Sequence, residues 1–210
     1  MANHQTRDKI CEAAIQTATR DGILAMTIDN VAKQAGISKG GVMYHFPSKD
    51  ELVRGMLEYF GNQLEQMVLQ RIADDPQPRF RWARSILSCT FADSKSDQSE
   101  QGPFTPEAVD RFMLTALAAA VSSPNLIEPL RKVGLRLSRR LLNDPEDGLE
   151  QLLIWLVLDG LFLWQFIGLI DRNEPLYAQI GEALRAKVQA GSDPNFRQPV
   201  TAGISAEASR

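Results

Sequence analysis

Apolar residues recur along this chain at helical rather than strand spacing. Ile10, Ala13, Ala14 and Ala18 repeat at three- and four-residue intervals, which predicts a helix over 7–21 that Gly22 ends. Ile28, Val31, Ala32 and Ala35 then lay one buried stripe along a second helix, with Thr27 as N-cap and Gly36 as its left-handed stop. Ile37 drops into the core of the turn. Ser38 caps a short helix over about 39–46, whose Val42 and Phe46 face inward and which Pro47 terminates. Ser48, with Glu51 three residues later as the return half of a capping box, opens a long helix to about 73. Its stripe is Leu52, Met56, Phe60, Leu64 and Met67.

Asp74-Asp75-Pro76-Gln77-Pro78 breaks the pattern, and a helix follows over 79–92. The polar stretch Asp93–Pro103 reads as an exposed loop. Thr105-Pro106 and Ser123-Pro124 each pair a cap with proline at the first helical position, and Pro129 is a candidate kink in the second of these helices. Long helices are expected over 144–170 and 173–190, and the Gly/Ser/Pro/Ala-rich residues 191–210 read as a disordered tail. Strand alternation and internal repeats are absent from the sequence. The fold class is therefore all-α: a three-helix N-terminal head over 1–60 and a helical second domain over 61–190.

Two short helices joined by a four-residue turn form a helix-turn-helix, whose second helix reads base edges in the major groove of double-stranded DNA. Here that helix carries adjacent glycines, Gly40 and Gly41. Each costs a helix roughly 1 kcal/mol relative to alanine, so a bare backbone there points to close approach to a phosphate or base. Lys39, Tyr44, His45 and Lys49 supply donors suited to phosphate oxygens around it.

The set Thr27-x-x-x-Val31-Ala32-x-x-Ala35-Gly36-Ile37-Ser38-x-Gly40-x-Val42, with His45-Phe46-x-Ser48-Lys49-x-x-Leu52, resembles the N-terminal domain of the tetracycline-repressor (TetR) family. The motif covers about the first 60 residues; the rest resembles the family only in helical layout. The resemblance implies a homodimer that represses transcription from a palindromic operator and is released by a small molecule held in the C-terminal domain. Carried over by position, it implies that Thr27, Tyr44, His45 and Lys49 contact phosphate. Lys39, Gly40, Gly41 and Met43 would face bases, with Ser38 as the cap between the two helices. Two departures stand out. The family commonly has Leu-Tyr where this chain has Val42-Met43, and Met43 offers only apolar contact. Asp29 would lie near DNA where relatives can carry a basic residue.

Charge narrows the picture. The chain carries a net charge of −3. Within residues 1–60, seven Lys/Arg (7, 9, 20, 33, 39, 49, 54) balance seven Asp/Glu (8, 12, 21, 29, 50, 51, 58). Affinity for DNA must come from local donors and from two protomers acting together, not from bulk charge. Cys11 and Cys89, far apart in sequence, fit reduced thiols and a cytoplasmic protein; the polar N-terminus has no apolar signal segment. With two histidines and no nucleophile elbow, phosphate loop or metal-spaced cluster, neither an enzyme nor a cofactor is expected.

One segment, 152–170, is nearly all apolar, with Asp159 and Gln165 its clearly polar members. It is long enough to cross a bilayer. The central aspartate, costing about 2.5–3.5 kcal/mol on insertion, and acidic flanks (Glu146, Asp147, Glu150, Asp171) argue against a membrane. A soluble helix apolar all round needs cover on every side, and a twin subunit would supply it. Leu156, Leu163, Phe166, Ile167 and Ile170 are interface candidates, the face itself being left open by the periodicity. Phe60, Met67, Phe91, Phe112, Met113, Trp155, Phe162 and Trp164 form the pool for a cavity taking an apolar or cationic effector. Asp159 calls for a partner: an arginine of the 131, 136, 139, 140 series is expected, a cationic ligand with cation–π help from nearby aromatics being the alternative. A helical ligand-binding protein without operator binding is the other functional class left open.

Overall fold

A computed structural model describes residues 2–91, 104–144 and 147–192. The polar stretch Asp93–Pro103, residues 145–146 and the tail from 193 onward lie outside the described residues. Those that are described form nine α-helices and one 3-10 turn: α1 Ala2–Asp21, α2 Ile28–Ala35, α3 Lys39–His45, α4 Lys49–Asp74, α5 Arg81–Thr90, α6 Pro106–Ser122, the turn Pro124–Ile127, α7 Glu128–Leu142, α8 Gly148–Phe166 and α9 Pro175–Ser192.

Local signals set the head. Thr27, Ser38 and Ser48 Oγ atoms accept from the backbone N–H groups of Asn30, Gly41 and Glu51 at 3.2, 3.0 and 3.2 Å, each satisfying a donor the helix leaves unpaired. Gly36 closes α2 at φ 66°, a left-handed geometry that favours glycine. The head core runs through Ile10, Ala14, Ala18, Val31, Ala35, Val42, Phe46, Leu52, Met56 and Phe60. It does not stop at residue 60. Phe112, Ala116 and Ala119 of α6 are fully buried in the same cluster, and Phe60 meets Phe112 with ring centroids 4.2 Å apart. The head and the second domain thus share one apolar core.

Several element bounds differ from the sequence expectation. The first helix starts at Ala2, five residues early, because nothing between 2 and 6 breaks it. Pro129 produces no kink: α7 begins at Glu128, so the proline stands in the first turn, where its missing N–H costs nothing. The helix over 79–92 shortens to Arg81–Thr90 because Phe80 adopts a left-handed backbone (φ 58°) rare for a bulky residue. Tertiary contacts hold it there. Its ring is buried against α9, where a Cβ on Gly191 would come 2.5 Å from Phe80. Its N–H donates to Asp147 Oδ2 at 2.8 Å, and Gln151 Oε1 accepts from Ala83 N at 3.1 Å. Side chains at the start of α8 therefore cap α5, and Asp147 is spent on that task. The same contact explains why α9 continues through Gly191 to Ser192 rather than fraying at 190.

The apolar segment forms a helix only over Gly148–Phe166; Gly168 (φ 72°) then turns the chain. Ile170 folds back into a buried cluster with Leu161 and Tyr177. Among the described residues, α8 is the one helix long and apolar enough to span a membrane by length and composition. Its Ile154 and Leu158 pack on α5 and α9. The expected stripe of α4 is buried at Leu52, Met56 and Phe60 and only half-buried at Leu64 and Met67.

Candidate nucleic-acid interface and ligand cavity

The head presents α3 by burying one side of it. Val42 and Phe46 are in the core, while Met43 and Tyr44 are 42% and 77% exposed. Phe46 fits because α4 has no side chain opposite it: a Cβ on Gly55 would come 2.4 Å from the Phe46 ring. The Arg7 guanidinium lies over the same ring, 5.1 Å from its centre. The paired glycines of α3 are under no such constraint. A Cβ on Gly40 would meet only Ser38 Oγ at 3.9 Å, and one on Gly41 would meet Ser38 Oγ at 3.4 Å and Ile37 Cδ1 at 3.6 Å. Packing does not require glycine at either position, and the helical backbone does not either.

Thr27, Ser38, Lys39, Gly40, Met43 and Tyr44 are exposed, and Gly41, His45 and Lys49 are half-buried on the same small unit. Tyr44 and His45 meet edge to face at 5.1 Å. Both lysines already have partners: Lys49 Nζ donates to the Leu24 carbonyl at 2.6 Å, and Lys39 Nζ donates to Asp29 Oδ2 at 2.9 Å. The second of these contacts gives Asp29 a cationic partner within the head.

In the second domain, α5, α6, α8, the α8–α9 connection and the start of α9 line an open-mouthed cavity of about 160 Å³. Ile86, Thr90, Asp110, Met113, Leu158, Asp159, Leu161, Phe162, Gln165, Arg172 and Tyr177 line it. Of the sequence-derived pool, Met113, Asp159 and Phe162 meet there. Phe60 and Phe112 do not, being sealed in the shared core. Met67 is half-buried on α4, outside the lining. Phe91 packs against Tyr177 at 4.9 Å, behind the wall. Trp155 sits against Ile72 and Trp82. Trp164 is half exposed on the outer face.

Asp159 is exposed at its place on α8 and lacks the expected arginine partner. No arginine of α7 reaches it: Arg136 and Arg140 face Glu65 at 2.5 and 3.7 Å, and Arg131 pairs with Glu128 at 2.7 Å. The residue opens onto the cavity mouth, and its carboxyl pKa is raised by desolvation among the apolar side chains, offset by a hydrogen bond from the Trp155 indole. Across the cavity, Arg172 pairs with Asp110 and lies 3.8 Å from Glu107 and 5.9 Å from the Tyr177 ring centre. Burial raises the Asp110 carboxyl pKa, and the Arg172 charge opposes that rise. Two carboxylates and one guanidinium leave the lining net negative. Arg172, Asp110 and Tyr177 were invisible in the sequence because they lie on three separate elements.

Among the described residues, nothing covers the outer face of α8. Leu156, Leu163, Phe166 and Ile167 are exposed, joined by Leu149, Leu153 and Val157; Ile170, expected with them, is instead buried with Leu161 and Tyr177. Cys11 is buried and its thiol pKa is pushed up to about 12 by that burial, which makes it unreactive. No group of three or more potential metal ligands occurs among the described residues.

Comparison with known proteins places these features. Residues 10–56 match the model for bacterial regulatory proteins of the tetR family, and residues 80–189 match a tetracyclin repressor-like C-terminal domain. The HTH-type transcriptional regulator BetI of Stenotrophomonas maltophilia is 28% identical over 167 residues, covering 75% of this chain and 79% of BetI. A Rhodococcus sp. protein assigned to the TetR family superposes with a TM-score of 0.65 at 17% identity, over 91% of this chain and all of that one. The multidrug binding protein EbrR, solved with malachite green, superposes at 0.58 and 21% identity over 87% and 97% of the two chains.

Proposed function

The chain belongs to the tetracycline-repressor family of transcriptional regulators, and from that premise we propose that it is a repressor which binds a palindromic operator as a homodimer and releases it when a small molecule enters the second domain. The observation that carries the reading is α3: its apolar side is locked into the head, and its solvent side offers bare glycine backbone flanked by donors. Helices of this arrangement dock in the major groove. The uncovered apolar face of α8 supports the dimer, since a matching face on a second copy would remove it from water. Two heads so joined must span half-sites about 34–36 Å apart. A reduced-thiol, DNA-bound regulator belongs in the cytoplasm.

The cavity supports a compact organic cation as effector. At about 160 Å³ it is smaller than the roughly 300–1,000 Å³ of drug-sized sites. Asp159 supplies an unneutralised carboxylate, with Phe162 and Tyr177 as ring faces. EbrR, a relative in fold, was solved with malachite green. A cation entering here meets Asp159 and competes with Arg172 for Asp110. Asp110 and Met113 line the cavity from the helix that buries Phe112 against Phe60 in the head core. Displacing Arg172 therefore shifts α6, and α6 moves the head spacing through the shared core.

Gel shift on the DNA upstream of the chain's own gene tests operator binding, and failure to retard any duplex would favour a ligand-binding protein without an operator. Linkage then tests the mechanism. Effector and operator must weaken each other by the same factor, so equal effector affinity with and without operator would rule it out. Arg172→Gln should weaken operator binding even with no effector present.

A further inference from the structure

Asp29 fits poorly with a DNA-binding head taken alone. It stands in the first turn of α2, and a groove-docked helix-turn-helix lays its first helix across the phosphate backbone. A carboxylate there repels phosphate. Yet its Oδ2 accepts from Lys39 Nζ at 2.9 Å, with the two side chains 57% and 56% exposed. Lys39 opens α3, and the N-terminal residues of a reading helix are those that reach base edges. The ion pair thus joins the backbone-crossing helix to the base-reading one.

A free lysine is indiscriminate. Its ammonium is a compact point charge with three donors on a flexible stem, and a phosphate oxygen satisfies it as well as a base acceptor does. Held by Asp29, the ammonium has one N–H spoken for and its stem direction fixed. A phosphate approaching it also approaches the carboxylate. Base-edge acceptors such as guanine O6 and N7 carry only partial charge and are repelled far less. The pair is exposed and therefore weak, so it yields readily to a well-placed acceptor.

Resting on the operator-binding reading above, we propose that Asp29 is a positioning residue for sequence specificity. It aims Lys39 at base edges and withholds it from phosphates, lowering affinity for arbitrary DNA more than for the operator. The head's balanced charge agrees, since seven cations against seven anions leave little non-specific attraction to begin with.

The test uses the full chain. Wild type enriches a duplex from a random-sequence pool, and affinities are measured for that duplex and for a shuffled one across a salt series. Asp29→Asn should leave thermal unfolding unchanged, both side chains being at the surface. It should raise affinity for the shuffled duplex about five- to tenfold near 0.1 M salt and steepen the salt slope by about 0.9, one extra phosphate contact. The ratio of enriched to shuffled affinity should fall at least about threefold, as the freed ammonium gains most where no base acceptor waits for it. Asp29→Glu should restore part of the ratio. In a Lys39→Gln background, Asp29→Asn relieves only the carboxylate's own repulsion, so it should raise both affinities alike and leave their ratio unchanged. An unchanged or rising ratio in the Lys39 chain overturns the proposal, as does an equal fall in the ratio without Lys39. A wild-type chain that enriches no sequence defeats the operator reading itself, and this inference with it; a chain that enriches one, with a ratio indifferent to Asp29, defeats this inference alone.

Discussion

Gly40→Ala separates what the head needs to fold from what it needs to read. In most helices a glycine is either a structural necessity or a mild liability. Here a Cβ at 40 would find nothing nearer than Ser38 Oγ at 3.9 Å, and α3 keeps ordinary helical geometry through the position. Alanine should therefore stabilise the chain by up to about 1 kcal/mol, raising the melting temperature by about 2–4 °C for a protein of this size. The same methyl group projects from the exposed side of the helix. If bare backbone there lies against DNA, the methyl holds the helix off the duplex, and a loss of tenfold or more in operator affinity, about 1.4 kcal/mol, is expected. Scanning calorimetry and fluorescence anisotropy on one preparation read both quantities. Gly55→Ala is the control with the opposite signature: its Cβ would come 2.4 Å from the Phe46 ring, so it should lower the melting temperature. A Gly40→Ala chain that is more stable and binds operator as tightly as wild type would refute the close-approach reasoning.

Three further outcomes follow from the geometry. Asp159→Asn should lose organic-cation binding in calorimetric titration while gaining stability. Because desolvation by the apolar side chains around the cavity mouth raises the native Asp159 carboxyl pKa, the folded chain holds this proton more tightly than the unfolded one; its stabilising effect is complete below about pH 4 and is lost as pH rises through the native value, so the gain of the asparagine variant should grow with pH in denaturant melts. Ile167→Asp, on the exposed α8 face, should give a species near the 23.4 kDa chain mass by sedimentation and abolish operator binding; a dimer that survives would move the interface elsewhere. Asp147→Ala leaves the buried Phe80 N–H without its acceptor and should cost about 1–3 kcal/mol in urea unfolding; no loss would show that Phe80 keeps its left-handed backbone by packing alone.

The sequence was most legible where structure is local. Each helix of the head carries its own cap, stripe and stop within a few residues, so Thr27, Ser38 and Ser48 could be read as caps and Val42 and Phe46 as inward-facing. The outward positions of α3 came from the resemblance to the tetracycline-repressor head rather than from spacing, and of these Lys39, Gly40, Met43 and Tyr44 are exposed. The Asp29–Lys39 contact spans only the turn between α2 and α3, but nothing in the pattern singled it out, since an ion pair depends on rotamers rather than on spacing.

The second domain was legible as helices and little more. Helical periodicity says that Phe60, Phe112 and Phe162 are apolar-face residues, not which of them seals a core and which faces a cavity. That choice was made by α6 docking on the head, which buried the first two and left the third open. Asp147 and Gln151 cap a helix about seventy residues earlier in the chain, and Arg172 finds Asp110 across the same kind of distance. Ile170 is absent from the exposed apolar face because Gly168, at positive φ, turns the backbone and brings Ile170 against Leu161 and Tyr177. Chain-local physics, namely hydrogen bonding within four residues and burial of one stripe, fixes helices from sequence; which stripe meets which is a matter of shape and volume in three dimensions, and only the packed molecule supplies that.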